Sequence, residues 1–193
     1  MMKKINEIFY SIQGEGFYTG TPAVFVRFSG CNLHCPFCDT RHQEGVMMSD
    51  EEIVARVALY KARHVVLTGG EPSLFIDEPF VRLLKEAGKY VAIETNGTHP
   101  LPAGVDWVTL SPKDGLCEGA RTLLEECDEL KVVYNHQPLE PYFKIRARHY
   151  FLQPCDVQDE VRNRAIVQAV VEVCLKDPRW RISLQTQKVL DIR

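Results

Sequence analysis

The chain has 193 residues, 45% apolar and 25% charged, with a net charge of −3; this is the composition of an ordinary folded domain and makes no electrostatic case for nucleic-acid binding. No apolar run reaches the length of a membrane span and the N-terminus lacks a signal-peptide pattern, so neither membrane insertion nor secretion is expected. Seven cysteines, three of them close together, argue against a disulfide framework and for a reducing, cytoplasmic location.

In chain order, Ile5 to Ile12 reads as a short extended segment, broken by Gln13-Gly14-Glu15-Gly16, whose glycines permit a turn and a close approach to a ligand. Ala23 to Phe28 is the first strand, rich in β-branched and aromatic residues. Arg27 inside it must face solvent or meet an anion, because an unpaired buried guanidinium is costly. Ser49-Asp50-Glu51-Glu52 is a capping-box pattern, and Ile53, Val57 and Tyr60 follow at helical spacing, predicting a helix over 50–62. His64 to Thr68 is the second strand, ending in Gly69-Gly70-Glu71-Pro72. Asp77 caps a helix with Phe80, Leu83, Leu84 and Ala87 inward and Gly88 as its stop. Further strands are expected at Tyr90 to Glu94, Val105 to Leu110, Leu130 to Tyr134 and His149 to Leu152, with a short helix around 119–126. Asp156 is read as the cap of a long helix, 157–175, with Val157, Val161, Ala165, Ala169 and Val173 on one stripe. Trp180 to Leu184 is a last extended segment.

Alternating strands and helices predict an α/β fold with about six mainly parallel strands and right-handed crossovers. A full eight-unit barrel takes about 250 residues, so this length predicts an incomplete, TIM-like barrel, read as a single domain over 1–193. Active sites in such folds lie at the carboxyl ends of the strands. Cys31, Gly69 to Glu71, Glu94 to Asn96, Ser111 to Lys113 and Gln153-Pro154 all follow strands. Each is a weak signal alone; together they converge on one rim.

The densest of these stretches is Cys31-Asn32-Leu33-His34-Cys35-Pro36-Phe37-Cys38. Three thiolates at C-x3-C-x2-C spacing hold three corners of a cubic iron–sulfur cluster and leave the fourth iron open to a small molecule. A zinc site completed by His34 or His42, or a plain electron-transfer cluster, are the competing readings. The spacing resembles that of the radical S-adenosylmethionine (SAM) enzymes, in which the open iron chelates SAM, and Phe37 matches the aromatic found there beside the adenine. Cys117, Cys127, Cys155 and Cys174 are scattered and read mostly as small buried hydrophobes.

With IQGEG at 12–16, CNLHCPFCDT at 31–40, TGGEP at 68–72, ETNGT at 94–98, LSPK at 110–113, FLQP at 151–154 and SLQTQK at 183–188, the chain resembles the 7-carboxy-7-deazaguanine synthase family nearly end to end. That resemblance implies ring contraction of 6-carboxy-5,6,7,8-tetrahydropterin with loss of ammonia, in the queuosine and deazapurine pathway, with SAM acting catalytically. It implies a 4Fe-4S cluster on Cys31, Cys35 and Cys38, and magnesium on Thr40. SAM would lie along Phe37, Cys38, Asp39, Gly70, Ser111, Pro112, Lys113, Gln153, Pro154, Cys155 and Asp156. Ile12, Gln13 and Gly14 would hold the pterin edge through their main chain, Arg27 its carboxylate, and Thr68 and Gln187 further atoms, with Glu15 added on proximity. A flavodoxin or ferredoxin reductant and a homodimer are implied as well. Gln187 departs from the family, which usually has a histidine there; glutamine hydrogen-bonds but does not titrate near neutral pH. The stretch 41–48 is also brief, which implies a thinner pocket wall or one completed by a partner subunit. A glycyl-radical activase shares the cysteine spacing and short length, but needs neither IQGEG nor a magnesium site.

Overall fold

A computed structural model describes residues 2–38, 40 and 44–192. Its elements are β1 (Met2–Ile12), β2 (Pro22–Phe28), β3 (Val46–Ser49), α1 (Asp50–Ala58), β4 (His64–Gly69), α2 (Glu78–Glu86), β5 (Tyr90–Thr95), β6 (Trp107–Leu110), β7 (Glu126–Tyr134), β8 (Arg146–Pro154), α3 (Glu160–Lys176), β9 (Trp180–Ile182) and α4 (Thr186–Leu190). They form one sheet in the order β3-β1-β2-β4-β5-β6-β7-β8-β9. From β2 to β9 every neighbouring pair is parallel, while β1 runs antiparallel to both β2 and β3. The sheet keeps two edges, β3 and β9, and is an open, incomplete barrel. Seven strands share the parallel set, where about six were expected; β9 is the addition, and β1 with β3 extends the sheet on the other side.

The period-2 alternation of the strands decides what each face does. Val24, Val26, Val65, Leu67, Val91 and Ile93 point outward and pack with Ile53 and Val57 of α1 and Phe80, Val81 and Leu84 of α2. Leu130, Val132 and Leu152 pack likewise with Ile166 and Val170 of α3. The intervening residues face inward. Toward the amino ends these are Ala23, Phe25, Val66, Ala92 and Trp107, which form an apolar plug with Phe9. Two residues further along the same strands stand Arg27, Thr68, Glu94 and Thr109. The concave face is therefore closed below by hydrophobic packing and polar above, at the carboxyl ends.

The local signals at α1 and α2 act as their chemistry predicts. Ser49 accepts from the Glu52 amide at 3.2 Å and Glu52 returns an acceptor to the Ser49 amide at 2.7 Å. Asp77 accepts from the Phe80 amide at 2.9 Å. The α1 helix ends at Ala58 rather than 62. In α2, Ala87 is exposed and Leu83 only half-buried; Val81 takes the inward place.

Two expectations are corrected. No helix forms around 119–126, because tertiary partners take that segment's backbone donors: Gly97 O accepts from the Leu123 and Leu124 amides at 2.8 and 3.3 Å, and Asp114 binds the Thr122 amide and hydroxyl. The long helix is capped by Asp159, which accepts from the Arg162 amide at 2.9 Å, and not by Asp156. Its buried stripe moves to Ile166 and Val170, leaving Val161 81% exposed.

Candidate active site

The polar end of the concave face opens into a cleft of about 640 Å³, within the usual size of ligand sites. All the expected site residues among those described line it, except Pro112, which is buried behind Ser111 and Lys113. Asp39 lies outside the described residues, as does His42, one of the two histidines weighed for zinc.

One wall is the cysteine loop. Cys31, Cys35 and Cys38 all face the cleft and none is in a disulfide. The Leu33 amide points at Cys31 Sγ from 3.4 Å, and the Cys38 amide donates to Cys35 O at 3.1 Å, which turns the loop back on itself. Asn32 ties the loop to the turn after β5, donating to Thr98 Oγ1 at 2.9 Å and accepting from Asn96 Nδ2 at 3.1 Å. Burial pushes the Cys31 thiol up; burial and then the neighbouring Cys117 thiol push Cys35 up to about 12. Cys117, read from sequence as a core filler, is thus half-exposed beside the triad, whereas Cys155 is the one that is buried. Three soft thiol donors on one wall, with an amide aimed at one sulfur, suit an iron–sulfur cluster.

Glu71 organises the next turn. It is 1% exposed and accepts from the Ser73 amide at 3.1 Å, the Thr95 hydroxyl at 2.6 Å and the Asn96 amide at 2.7 Å. Its own amide reaches Gly30 O at 3.0 Å. The carboxylate therefore joins the turns after β4 and β5, and the amide of the same residue adds the turn after β2. A side chain on Gly70 would begin 1.8 Å from Gly30 O, so Gly70 is required by the packing of these turns before any ligand arrives.

The opposite wall carries Ser111, Lys113, Gln153, Pro154, Cys155 and Asp156. Lys113 Nζ curls onto Ser111 O and Oγ, both at 2.7 Å, and burial pulls its ammonium below its usual value. Gln153 Oε1 accepts from Ser183 Oγ, which in turn accepts from the Gly16 amide at 2.9 Å. Asp156, freed from capping α3, binds Lys188 Nζ at 2.6 Å, the Gln158 amide at 2.9 Å and Asn163 Nδ2 at 2.8 Å. Those bonds, Lys188 first, hold its carboxyl at about 2.

The floor is made by the 13–16 turn, β4, β5, β7 and the C-terminal segment. The Gln13 main chain is spent on Thr21 O and the Gly20 amide, each at 2.8 Å, and Gly14 O accepts from Thr186 N and Oγ1 at 3.1 and 2.7 Å. Glu15 lies against Lys131 Nζ at 2.6 Å, and Glu94 against the same nitrogen at 3.5 Å. Burial alone would raise the Glu15 carboxyl, but Lys131, Gln187 and Gln185 outweigh it and hold it at about 2. Arg27 is half-buried, pairs with Glu7 across the β1–β2 register at 3.0 Å, and faces the cleft. From sequence, Glu71 and Glu94 are expected on the rim without a role, and Lys131 is not expected there at all. Lys131 carried the same signal as Arg27, a lone cation inside an apolar strand.

Residues 25–128 match the Radical SAM superfamily. The chain is 56% identical to 7-carboxy-7-deazaguanine synthase of Bacteroides thetaiotaomicron over the whole of both proteins. The chain belongs to the 7-carboxy-7-deazaguanine synthase family. The synthase of Nitratidesulfovibrio vulgaris is 40% identical, again over the full length of both. The crystal structure of QueE from Escherichia coli superposes with a TM-score of 0.79 at 32% identity, covering 95% of this chain and 94% of that one. Membership of the superfamily implies a 4Fe-4S cluster and SAM, and three thiols of this synthase-family chain, the soft donors such a cluster takes, face one cleft. Among the described residues no helix is long and apolar enough to cross a membrane.

Proposed function

We propose that the chain converts 6-carboxy-5,6,7,8-tetrahydropterin to 7-carboxy-7-deazaguanine with release of ammonia, as a radical SAM lyase of queuosine and deazapurine biosynthesis. The observation that supports this most is the shared cleft: the cysteine triad and the Gln13, Glu15, Arg27 and Thr68 floor face one space in a chain alike from end to end to named synthases. When bound, the cluster and SAM supply the radical that removes the hydrogen from C6 of the pterin.

The chain's own residues do the holding. Cys31, Cys35 and Cys38 bind the cluster. Lys113 would face the SAM carboxylate, whose charge would favour the ammonium that burial disfavours, and Phe37, Cys38, Gly70 and the Gln153–Asp156 run would enclose the remainder, with Asp39 added by the family resemblance alone. Arg27 receives the pterin carboxylate; its guanidinium is half-exposed and shared with Glu7, so it can turn to a second anion without an unpaired buried charge. Thr40 offers a hydroxyl to magnesium, a hard ion that prefers oxygen ligands. Thr68, Glu15 and Gln187 meet the ring. The protein works as a single domain, as a homodimer in the cytoplasm, with a flavodoxin or ferredoxin reductant and without nucleic acid.

The test is an anaerobic assay of cluster-reconstituted protein with SAM, dithionite, magnesium and the tetrahydropterin, read by mass. The expected result is 7-carboxy-7-deazaguanine with little SAM consumed per turnover. Cleavage of SAM to 5′-deoxyadenosine with no deazaguanine would overturn the substrate assignment, and one zinc with no iron per chain would overturn the cluster.

A further inference from the structure

Lys131 sits in β7 with 6% of its side chain exposed, its ammonium between Glu15 Oε2 at 2.6 Å and Glu94 Oε1 at 3.5 Å. Two carboxylates held this close do not both stay ionised without a cation, and once ionised they can only accept hydrogen bonds. The neighbouring side chains are oriented accordingly. Gln13 turns Nε2 to Glu94 at 3.1 Å while its Oε1 takes the Glu15 amide at 3.1 Å. Thr68 donates its hydroxyl to Glu94 at 2.9 Å. Gln185 and Gln187 both turn Nε2 to Glu15, at 3.1 and 3.0 Å. That orientation leaves Gln187 Oε1 buried against Gly14 with no hydrogen-bond partner among the described residues. Each of these four side chains spends a donor on a carboxylate, and Glu15 and Glu94, which both line the cleft, keep lone pairs with which to accept from a ligand.

We propose that Lys131 is a positioning residue for the pterin: by keeping Glu15 and Glu94 ionised together it maintains an acceptor-lined floor, which selects the tetrahydro ring over the aromatic one. The reduced ring carries N–H donors at both N5 and N8, whereas aromatic 6-carboxypterin has bare acceptor nitrogens there. Acceptor facing acceptor leaves both unsatisfied, a larger loss than a missing bond. This rests on the pterin reading above. The other charged groups facing the pair are Glu129, two residues back on β7, Lys113 beyond β6, and His64 at the start of β4. Among the described residues only Lys131 is in ion-pair contact with both carboxylates.

The test is anaerobic equilibrium binding of 6-carboxytetrahydropterin and of aromatic 6-carboxypterin to the cluster-loaded, SAM-bound protein, between about pH 6 and pH 8. The wild type should prefer the reduced ring by about tenfold or more, with little pH dependence. In Lys131→Met the preference should shrink to within about threefold, and affinity for the reduced ring should fall as the pH is lowered, because one carboxyl then takes up a proton and becomes a donor. Lys131→Arg, which keeps the cation, should recover much of the preference and the flat pH profile; a packing role would not follow charge in this way. Iron content and thermal melting check that the variants are folded. Should Lys131→Met not fold, Glu94→Gln carries the test: the preference should fall to within about threefold at every pH in the range, and an unchanged preference overturns the acceptor floor. Equal binding of both pterins by the wild type, or an unchanged preference in Lys131→Met, overturns the role of Lys131. Failure of the wild type to make the deazaguanine overturns the pterin reading itself.

Discussion

Two of the buried lysines, Lys3 and Lys131, differ in their surroundings in a way that separates stability from recognition. Lys3 on β1 is 1% exposed; its ammonium meets the Asp50 carboxylate and lies 4.6 Å from the centre of the Phe80 ring. Asp50 also opens α1, where a negative charge suits the helix dipole. That pocket is closed by the core packed around it. Lys131 meets two carboxylates, whose remaining lone pairs gather three glutamines and a threonine, and its pocket opens into the cleft. A cation matched to one carboxylate in a closed core anchors a strand to a helix. A cation matched to a surplus of acceptors at the mouth of a cleft leaves bonding capacity for a ligand.

The strongest way to break this comparison is Lys3→Ala, which leaves Asp50 buried without its ammonium. The expected loss is about 3–5 kcal/mol of stability in urea unfolding, with the pterin KM unchanged; a raised KM would join the two lysines in one role. Glu15→Gln should do the reverse, raising the pterin KM about tenfold by removing a charged acceptor. It should also alter acid stability. The folded Glu15 carboxyl is held at about 2 against an ordinary 4.5, so its stabilisation is present above that ordinary value and disappears as pH falls toward 2. Urea midpoints of Glu15→Gln should accordingly decline less than those of the wild type across that window. Ser49→Ala removes the cap beside Asp50 and should cost about 1 kcal/mol without touching turnover. Gln187→His should have the smallest effect, changing kcat/KM by less than about threefold, because a ring N–H still reaches Glu15 from that position. A larger gain would show that the floor needs a titrating group.

Local chemistry made much of the fold legible. The apolar runs of β2, β4, β5 and β7 could only be buried strands, Ser49 with Glu52 could only begin a helix, and residues at strand exits had to share a rim once the strands were parallel. The cysteine spacing likewise pointed to metal chemistry, and the downstream motifs rather than the spacing set an iron–sulfur cluster above zinc. Where sequence reading went astray, two local options were nearly equal and a distant residue chose between them. Leu123 and Leu124 suit a helix, but Gly97 O takes their amides. Asp156 and Asp159 are both good caps, and Lys188, 32 residues further along, claims the first.

The sequence by itself thus determined the cysteine loop, the parallel run of the central strands and the rim on which the cleft lies, since each follows from contacts within a few residues or from strand periodicity. Only the tertiary structure decided that Glu71 ties three turns together and that Lys131 holds Glu15 and Glu94 side by side. Those residues lie 116 and 37 positions from Lys131 (131 less 15 and 131 less 94). The ionisation of a buried carboxylate depends on what folds against it, which no local pattern encodes.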